Sequence, residues 1–416
     1  MNNSKLWLVF AGALALVTPV RAQVLTLEAA LKIGEAQSPR LAAQRHALSA
    51  AEEQTGRAAE LPDPKLRFGI ENLSVTGPDR LQYDRDSMTM RAIGVTQEFP
   101  SSEKRSARSD RAARARDVER SMLFSQRATL QRDIAAAWLE THFAERSRDA
   151  LQGLAGRLAA QAETVSVGVA RGRQSVAEGF VLRGAVEQAR DKVIDHERLV
   201  ERSRLNLSAL LGKEARMPLG SAPDLASLAH SREALTARLH EHPQLRVLDG
   251  RQDLARAEVD VARASKRSDW SLEVGYGVRR PSFDNMLTVM VAIDLPWQAE
   301  RRQDRDVASR LAELQQVRAM KEDARRMHEA EVRGWLADYD AATRRLERFK
   351  TVLLPLASDR SEAALTAYQG GRGDLSGVLE AQRAVTETEL ASIAIEAERA
   401  KAWANLNYLY PHEGAK

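Results

Sequence analysis

The chain contains no cysteine. That excludes disulfides, thiolate metal centres and a lipid carried on an N-terminal cysteine. Long apolar runs are missing too. After residue 22 nothing approaches the ~18 consecutive apolar residues of a membrane-crossing helix, so entry into a membrane would have to take the form of a β-barrel. No charge of one sign dominates: 62 Lys and Arg stand against 58 Asp and Glu, interleaved as on solvated helix faces, and nothing calls for nucleic acid. The motifs of enzymes are also absent. There is no phosphate loop, no HExxH and no nucleophile elbow, and the serines and histidines are scattered. Neither catalysis nor a cofactor is expected.

The first 22 residues, "MNNSKLWLVFAGALALVTPVRA", form a class of their own. Lys5 precedes an apolar run from Leu6 to Val17, and Val20-Arg21-Ala22 ends on a small residue. The run is too short to span a bilayer and reads as a secretory signal peptide, with the mature chain starting near Gln23. The protein is therefore expected to be exported and not lipidated.

The remainder is written twice. "SPRLAAQRHALSAAEE" (38–53) resembles "HPQLRVLDGRQDLARAEVDVARA" (242–264), and the same shift places Leu66, Phe68 and Ile70 on Trp270, Leu272 and Val274. "GVTQEFPSSEKR" (94–105) resembles "MVAIDLPWQAERR" (290–302), pairing Pro100 with Pro296. Trp138-Leu139 pairs with Trp335-Leu336, "VARGRQS" (169–175) with "YQGGRGD" (368–374), and Asn206 with Asn405. Two repeats are expected, 23–220 and 221–416, each with a short helix, two strands, a very long helix, a glycine-containing turn and a second long helix.

The strands are read from alternation. Trp270, Leu272, Val274, Tyr276 and Val278 alternate with Ser271, Glu273, Gly275, Gly277 and Arg279, and Leu287, Val289, Val291, Ile293 and Leu295 alternate with Thr288, Met290, Ala292 and Asp294. Strands are expected at about 269–279 and 285–295, and in the first repeat at about 65–73 and 87–99. Each has about the 9–11 residues that cross a bilayer at a tilt. The helices are expected over about 101–167, 175–212, 297–368 and 374–409, with a kink at Pro355. A seven-residue column, Leu123, Leu130, Ala137, Ala144, Leu151 and Leu158, marks a closely packed coiled coil, and Arg146, Arg148 and Asp149 lie off it.

Four strands cannot close a barrel, and an open edge cannot sit in lipid. Sharing the barrel among three chains gives twelve strands under cyclic symmetry, above a tube of coiled coils. The fold class expected is thus mostly α with a membrane β-barrel. The apolar set Trp270 to Val278 and Leu287 to Leu295 would face lipid, and the polar set a water-filled lumen.

The signal peptide, the tandem repeats, the two hairpins, "LPDP" before the first strand, "QEFP" after the second and "YxxGRxDLxxVLEAQ" at 368–382 together resemble the TolC family of outer-membrane efflux channels. The resemblance covers essentially the whole mature chain. It implies a homotrimer in the Gram-negative outer membrane with a long periplasmic extension. It also implies a role as the passive exit duct of a tripartite pump, with a periplasmic adaptor and an inner-membrane RND transporter as partners. By the same resemblance the coiled-coil tips, Gly172, Arg173 and Ser175 with Gly371 and Arg372, meet the adaptor. Asp374 and Glu380 are candidates for an acidic ring at the periplasmic aperture, and Gly377 occupies the family's other acidic position. "LPDPKLRFGIENLSVTGPDR" and "IGVTQEFPSSEKR" are most similar to the heavy-metal branch, so metal cations are the expected cargo. Drug efflux and type I protein secretion are the alternatives within the family, and a soluble periplasmic adaptor is the alternative outside it.

Two groups invite a metal reading of their own. Met88 and Met90 share a strand face, where thioethers suit Cu(I) but where packing residues also sit. His240-Glu241-His242 precedes Pro243 in an expected surface turn.

Overall fold

The computed structural model describes residues 24–171 and 174–411. The expected signal peptide and the tip residues Gly172 and Arg173 lie outside them. In chain order the elements are α1 (Leu27–Gln37), α2 (Pro39–Arg57), β1 (Lys65–Glu71), β2 (Met90–Phe99), α3 (Ser102–Ala170) and α4 (Val176–Leu211). There follow α5 (Arg232–Ala237), α6 (Pro243–Ala264), β3 (Trp270–Val278), β4 (Met286–Ile293), α7 (Gln303–Arg348), α8 (Leu354–Gln369) and α9 (Leu375–Asn407). Helix α3 has 69 residues, about 100 Å at 1.5 Å per residue. The expected class, long helices with one four-stranded sheet per chain, is the one observed.

Local chemistry sets the element ends. Ser101 Oγ accepts from Lys104 N at 3.3 Å and starts α3 directly after Pro100. Ser175 Oγ accepts from Ala177 N at 3.1 Å while Glu178 returns the favour to Ser175 N at 3.0 Å, a capping box that starts α4. The expected short helix ahead of each hairpin is broken in two by a proline. Ser38 caps α2 before Pro39, and His242 caps α6 before Pro243, its Nδ1 accepting from Gln244 N at 3.3 Å.

One start departs from expectation. The shift that aligns Pro100 with Pro296 puts Trp297 where the first half has the capping Ser101. Indole cannot accept the hydrogen bond of a cap, worth ~1 kcal/mol. Helix α7 accordingly begins at Gln303 and not near 297, and no side chain caps it. Strand β4 stops at Ile293, so Leu295 lies beyond it. Asp294 N makes the last ladder bond, to Asp269 O at 2.9 Å, and Pro296 has no N–H to continue. The irregularity expected at Pro355 is a π-helical turn, Phe349–Leu353, just before α8. Proline lacks the N–H that the Thr351 carbonyl would receive in an α-helix.

The core lies where the helices of both halves meet. Trp138 on α3 is fully buried with Ile134, Leu207, Leu211, Leu406 and Leu25. Leu25 bridges in parallel to Leu219 and its carbonyl accepts from Trp138 Nε1 at 3.0 Å, which pins the start of the described chain to α3. Gly34 allows α1 to lie this close, because a Cβ there would collide with Ile134 Cδ1. Of the expected heptad column, Leu130, Ala137, Leu151 and Leu158 are buried and Leu123 and Ala144 half-buried.

A buried charge ties this core to the π turn. Glu396 on α9, 9% exposed, accepts from Arg146 on α3 and pairs with Lys350 at 3.0 Å. Burial alone would raise its pKa, but the hydrogen bonds from Arg146 and Lys350 outweigh burial and hold the carboxyl below its usual value. The stabilisation is therefore present above the usual carboxylate pKa and is lost as pH falls through the lowered one. Arg146 and Lys350 are each about half exposed and can be rehydrated. Glu396→Ala should therefore cost about 1–2 kcal/mol, less than a fully buried pair. Denaturant midpoints at neutral pH check this, and an unchanged midpoint would contradict it.

Candidate functional site

The sheet runs β1-β2-β3-β4, antiparallel throughout. Its register sorts every strand residue to one of two faces. Opposite Val274 stand Val95 and Val289, opposite Tyr276 stand Ile93 and Leu287, and opposite Trp270 stand Phe99 and Ile293. Leu66 faces Val95 and Phe68 faces Ile93. The apolar set therefore forms one face over all four strands, interrupted on β2 by Gln97 opposite Leu272 and by Arg91 opposite Ile70 and Val278. It is uncovered: Phe68 is 80% exposed, Trp270, Val274, Tyr276, Val278, Leu287, Val289, Val291 and Ile293 are exposed, and Leu272 is half-buried. Leu295 is exposed beyond the strand end.

The opposite face is polar and knit by ions. Lys65 pairs with Glu98, and Arg67 pairs with Glu71 at 3.1 Å and with Glu273 two strands away. Arg67 reaches Glu273 because the residue between them is Gly94, which has no side chain to block the path. Ser271, Gly275, Gly277, Thr288 and Met290 share this face. Arg279 lies just past β3, with its guanidinium 5.5 Å from the Phe283 ring.

Met88 lies outside β2, so the expected pairing of Met88 and Met90 on one strand face does not occur. Met90 is packed down onto Gly277, filling the place a Cβ would take. The expected surface turn at 240–242 is also corrected. His240 is exposed, but His242 is 5% exposed and stacks on His328 of α7 with ring centroids 4.0 Å apart. His328 Nδ1 in turn lies 2.8 Å from Glu331 Oε2. Among the described residues no group of three or more His, Asp or Glu is placed to hold a metal ion.

Burial, then the neighbouring His328 and Arg132, lowers the His242 pKa to about 3. A base whose folded pKa lies below its unfolded value of about 6.5 stabilises the fold fully only above that value. Between pH 7 and 4 the unfolded chain takes up the proton first, and His242 alone should cost on the order of 3 kcal/mol. Asn at this position keeps a cap acceptor and cannot titrate. His242→Asn should therefore flatten the acid limb of a plot of unfolding free energy against pH, and a limb as steep as in the unmodified protein would refute the assignment.

At the far end the two helix pairs turn. Ser175 is described and serves as the α4 cap. The α8–α9 turn closes through Arg372 N to Ala367 O at 2.9 Å, with Gly371 at φ +66°, the left-handed value glycine tolerates. Arg372 is exposed and makes no ion pair among the described residues. Gln174 Nε2 donates to the Tyr368 hydroxyl at 3.4 Å, and Leu154, Leu158, Leu182, Val186, Leu375 and Leu379 pack the two turns together. Both acidic candidates already have partners within the chain. Asp374 accepts from Gly377 N at 3.1 Å as the α9 cap, and Glu380 pairs with Arg360 on α8 at 3.0 Å, both side chains exposed. The Arg360 contact joins residues 20 apart across a helical turn. Only the pairing of α8 with α9 reveals it.

No helix among the described residues is long and apolar enough to cross a membrane. The comparisons follow the same outline. Residues 31–213 match the family described as outer membrane efflux protein. The chain is 23% identical over 386 residues to the cobalt-zinc-cadmium resistance protein CzcC of Cupriavidus metallidurans, covering 89% of this chain and 86% of that one. Its fold is similar to that of CusC, crystallised in a study of folding and transmembrane channel formation, with a TM-score of 0.78 at 14% identity over 93% of this chain and 92% of that one. It is also similar to the CmeC outer membrane channel of Campylobacter jejuni, with a TM-score of 0.79 at 11% identity over 100% and 96% of the two chains. With a two-faced sheet and paired long helices, this chain shares the fold of these solved structures, and its residues 31–213 are similar to the outer membrane efflux protein family.

Proposed function

We propose that three copies of this chain form an outer-membrane exit duct that conducts metal cations from a tripartite pump to the exterior. The observation that carries the reading is the uncovered, largely apolar face, which spans four strands whose outer edges, β1 and β4, have no partner among the described residues. Hydrocarbon is the solvent that face suits, and joining β4 of one copy to β1 of the next removes both edges. The ion-paired face then lines water. Lys65 and Arg67 pair there with Glu98, Glu71 and Glu273, which leaves a single negative charge in the set and suits passage of cations better than their retention.

The halves 23–220 and 221–416 are read as two copies of one repeat, and residues 1–22 as a cleaved export signal. The helical tips, Gly172, Arg173 and Ser175 with Gly371 and Arg372, are assigned to the periplasmic adaptor, behind which an inner-membrane RND transporter supplies the cargo. Asp374 and Glu380 are assigned to the periplasmic aperture. The lipid-facing set is Trp270, Leu272, Val274, Tyr276 and Val278 with Leu287, Val289, Val291, Ile293 and Leu295. The duct carries out no reaction. The choice of metal cations is supported by the likeness to CzcC, whose name ties that protein to cobalt, zinc and cadmium.

Deleting the gene in its host tests the cargo. Cells should retain more cobalt, zinc or cadmium and become sensitive to them, and restoring the chain should reverse both. Unchanged metal content with raised sensitivity to dyes or antibiotics would move the cargo to drugs while leaving the duct in place.

A further inference from the structure

Four methionines lie in or beside the strands, at 88, 90, 286 and 290. On the face turned to hydrocarbon they would be ordinary. The register puts three of them on the other face: Met90 stands opposite Glu71, Met286 opposite Gly277 and Met290 opposite Glu273. Two of the three converge. Met90 leans diagonally onto β3, where its Sδ takes the place of the Cβ that Gly277 lacks. Met286 is the residue directly opposite Gly277 on β4, and Cβ positions opposite one another lie ~4.5–5.5 Å apart. The unbranched, freely rotating side chain of methionine spans that gap. A glycine on the middle strand thus lets thioethers from β2 and β4 meet above it. The floor around them is small, with Ala92 and then Gly69 on the other side of Gly277.

Packing accounts for Met90, which is 9% exposed, but not for Met286, which is 40% exposed on a face otherwise lined by ions, glycines and hydroxyls. Glu71, paired with Arg67 at 3.1 Å, puts a carboxylate beside Met90. Arg279, the next residue of this face along the chain from Gly277, is held by the Asp284 carbonyl at 2.6 Å and the Ser87 carbonyl at 3.3 Å.

We propose that Met90 and Met286 form a thioether site for soft monovalent cations, Cu(I) or Ag(I), on the lumen face near the outer mouth of the duct. Neutral thioethers select soft cations, whereas zinc and its neighbours prefer imidazole. No cluster of His, Asp or Glu among the described residues offers the latter a site. Gly277 and Met286 flank the β3–β4 turn, at the end of the sheet away from α3 and α7, so three copies set three such pairs around the exit. Two neutral ligands hold an ion loosely enough for it to leave. This inference rests on the reading of the ion-paired face as a lumen, and it adds soft monovalent ions to the cargo.

The absence of cysteine removes the competing soft ligand, so Ag⁺ serves as the probe. Purified full-length protein in mild detergent is dialysed against Ag⁺, with imidazole in excess to compete with the histidines, and bound silver is counted per chain. The unmodified protein should hold one more Ag⁺ per chain than the double variant Met90→Leu with Met286→Leu. Either single substitution should weaken that site about tenfold, the factor that ~1.4 kcal/mol gives. Met286 is exposed, so Met286→Leu keeps the fold and decides the matter even where Met90→Leu does not fold. Met290→Leu, about 13 Å further along β4, should change nothing. Absorption at the silver X-ray edge should show two sulfur neighbours in the unmodified protein. Equal silver affinity in the unmodified protein and in Met286→Leu would overturn the site, and if the same sample is a trimer by mass the duct stands without it. A soluble monomer would remove the lumen, and with it the site's place on an exit path.

Discussion

Arginine at Val289 together with arginine at Val291 abolishes recovery of assembled protein from the outer membrane, whereas arginine at Met290, the residue between them, leaves assembly intact. The three positions are consecutive on β4 and all are exposed in the isolated chain, so exposure does not separate them. Parity does. Val289 and Val291 stand opposite Val274 and Leu272 on the apolar face, and Met290 stands opposite Glu273 on the ion-paired face. An arginine on the lipid face near the bilayer midplane costs about 2–4 kcal/mol, and a trimer repeats each cost three times. Arginine at 290 gains a carboxylate neighbour instead. Heat-modifiable migration of outer-membrane extracts reads the outcome. Failure at 290 with survival at 289 and 291 would turn the sheet inside out.

The largest effect on the helical body should come from Trp138. Its side chain is fully buried, its Nε1 donates to Leu25 O at 3.0 Å, and its ring stacks on His142 with centroids 5.4 Å apart. Trp138→Ala removes the filler between α1, α3 and the helices of the second half, and the cost expected for a buried Trp→Ala change is about 3–5 kcal/mol. Trp138→Phe keeps most of the volume and removes only one of the two hydrogen bonds to the Leu25 carbonyl, which still accepts from Gly220 N at 3.0 Å, so it should cost clearly less. Denaturant midpoints of the helical circular dichroism signal, taken with all three proteins in the same detergent, give the ranking. A Trp138→Ala midpoint equal to that of the unmodified protein would mean that the core is held elsewhere.

Much of this was legible in the chain itself, because period-two alternation is a direct consequence of strand geometry. Trp270 to Val278 and Leu287 to Ile293 could be assigned to one face before any fold was known. Prolines and capping residues marked the helix starts where they agreed, as at Pro100-Ser101. Where they disagreed, the start moved: Trp297 cannot cap, and α7 begins six residues later at Gln303. Charge partners were not legible. Glu396 was one acid among many until α3 and the π turn brought Arg146 and Lys350 to it. His242 read as a surface residue because His240 and Glu241 beside it are polar. Its burial comes from α7, whose His328 stacks on it from 86 residues along the chain. The roles of Asp374 and Glu380 at an aperture depend on where a threefold axis passes, and one chain's sequence does not carry that information.

The most direct measurement is the mass and location of the mature protein. Inner and outer membranes are separated, the protein is extracted in mild detergent, and its mass is taken by light scattering corrected for bound detergent. Three copies per particle, recovered from the outer membrane, is the result the shared barrel requires. A monomer recovered in the soluble periplasmic fraction would contradict it, and the uncovered face from Trp270 to Ile293 would then need a protein partner.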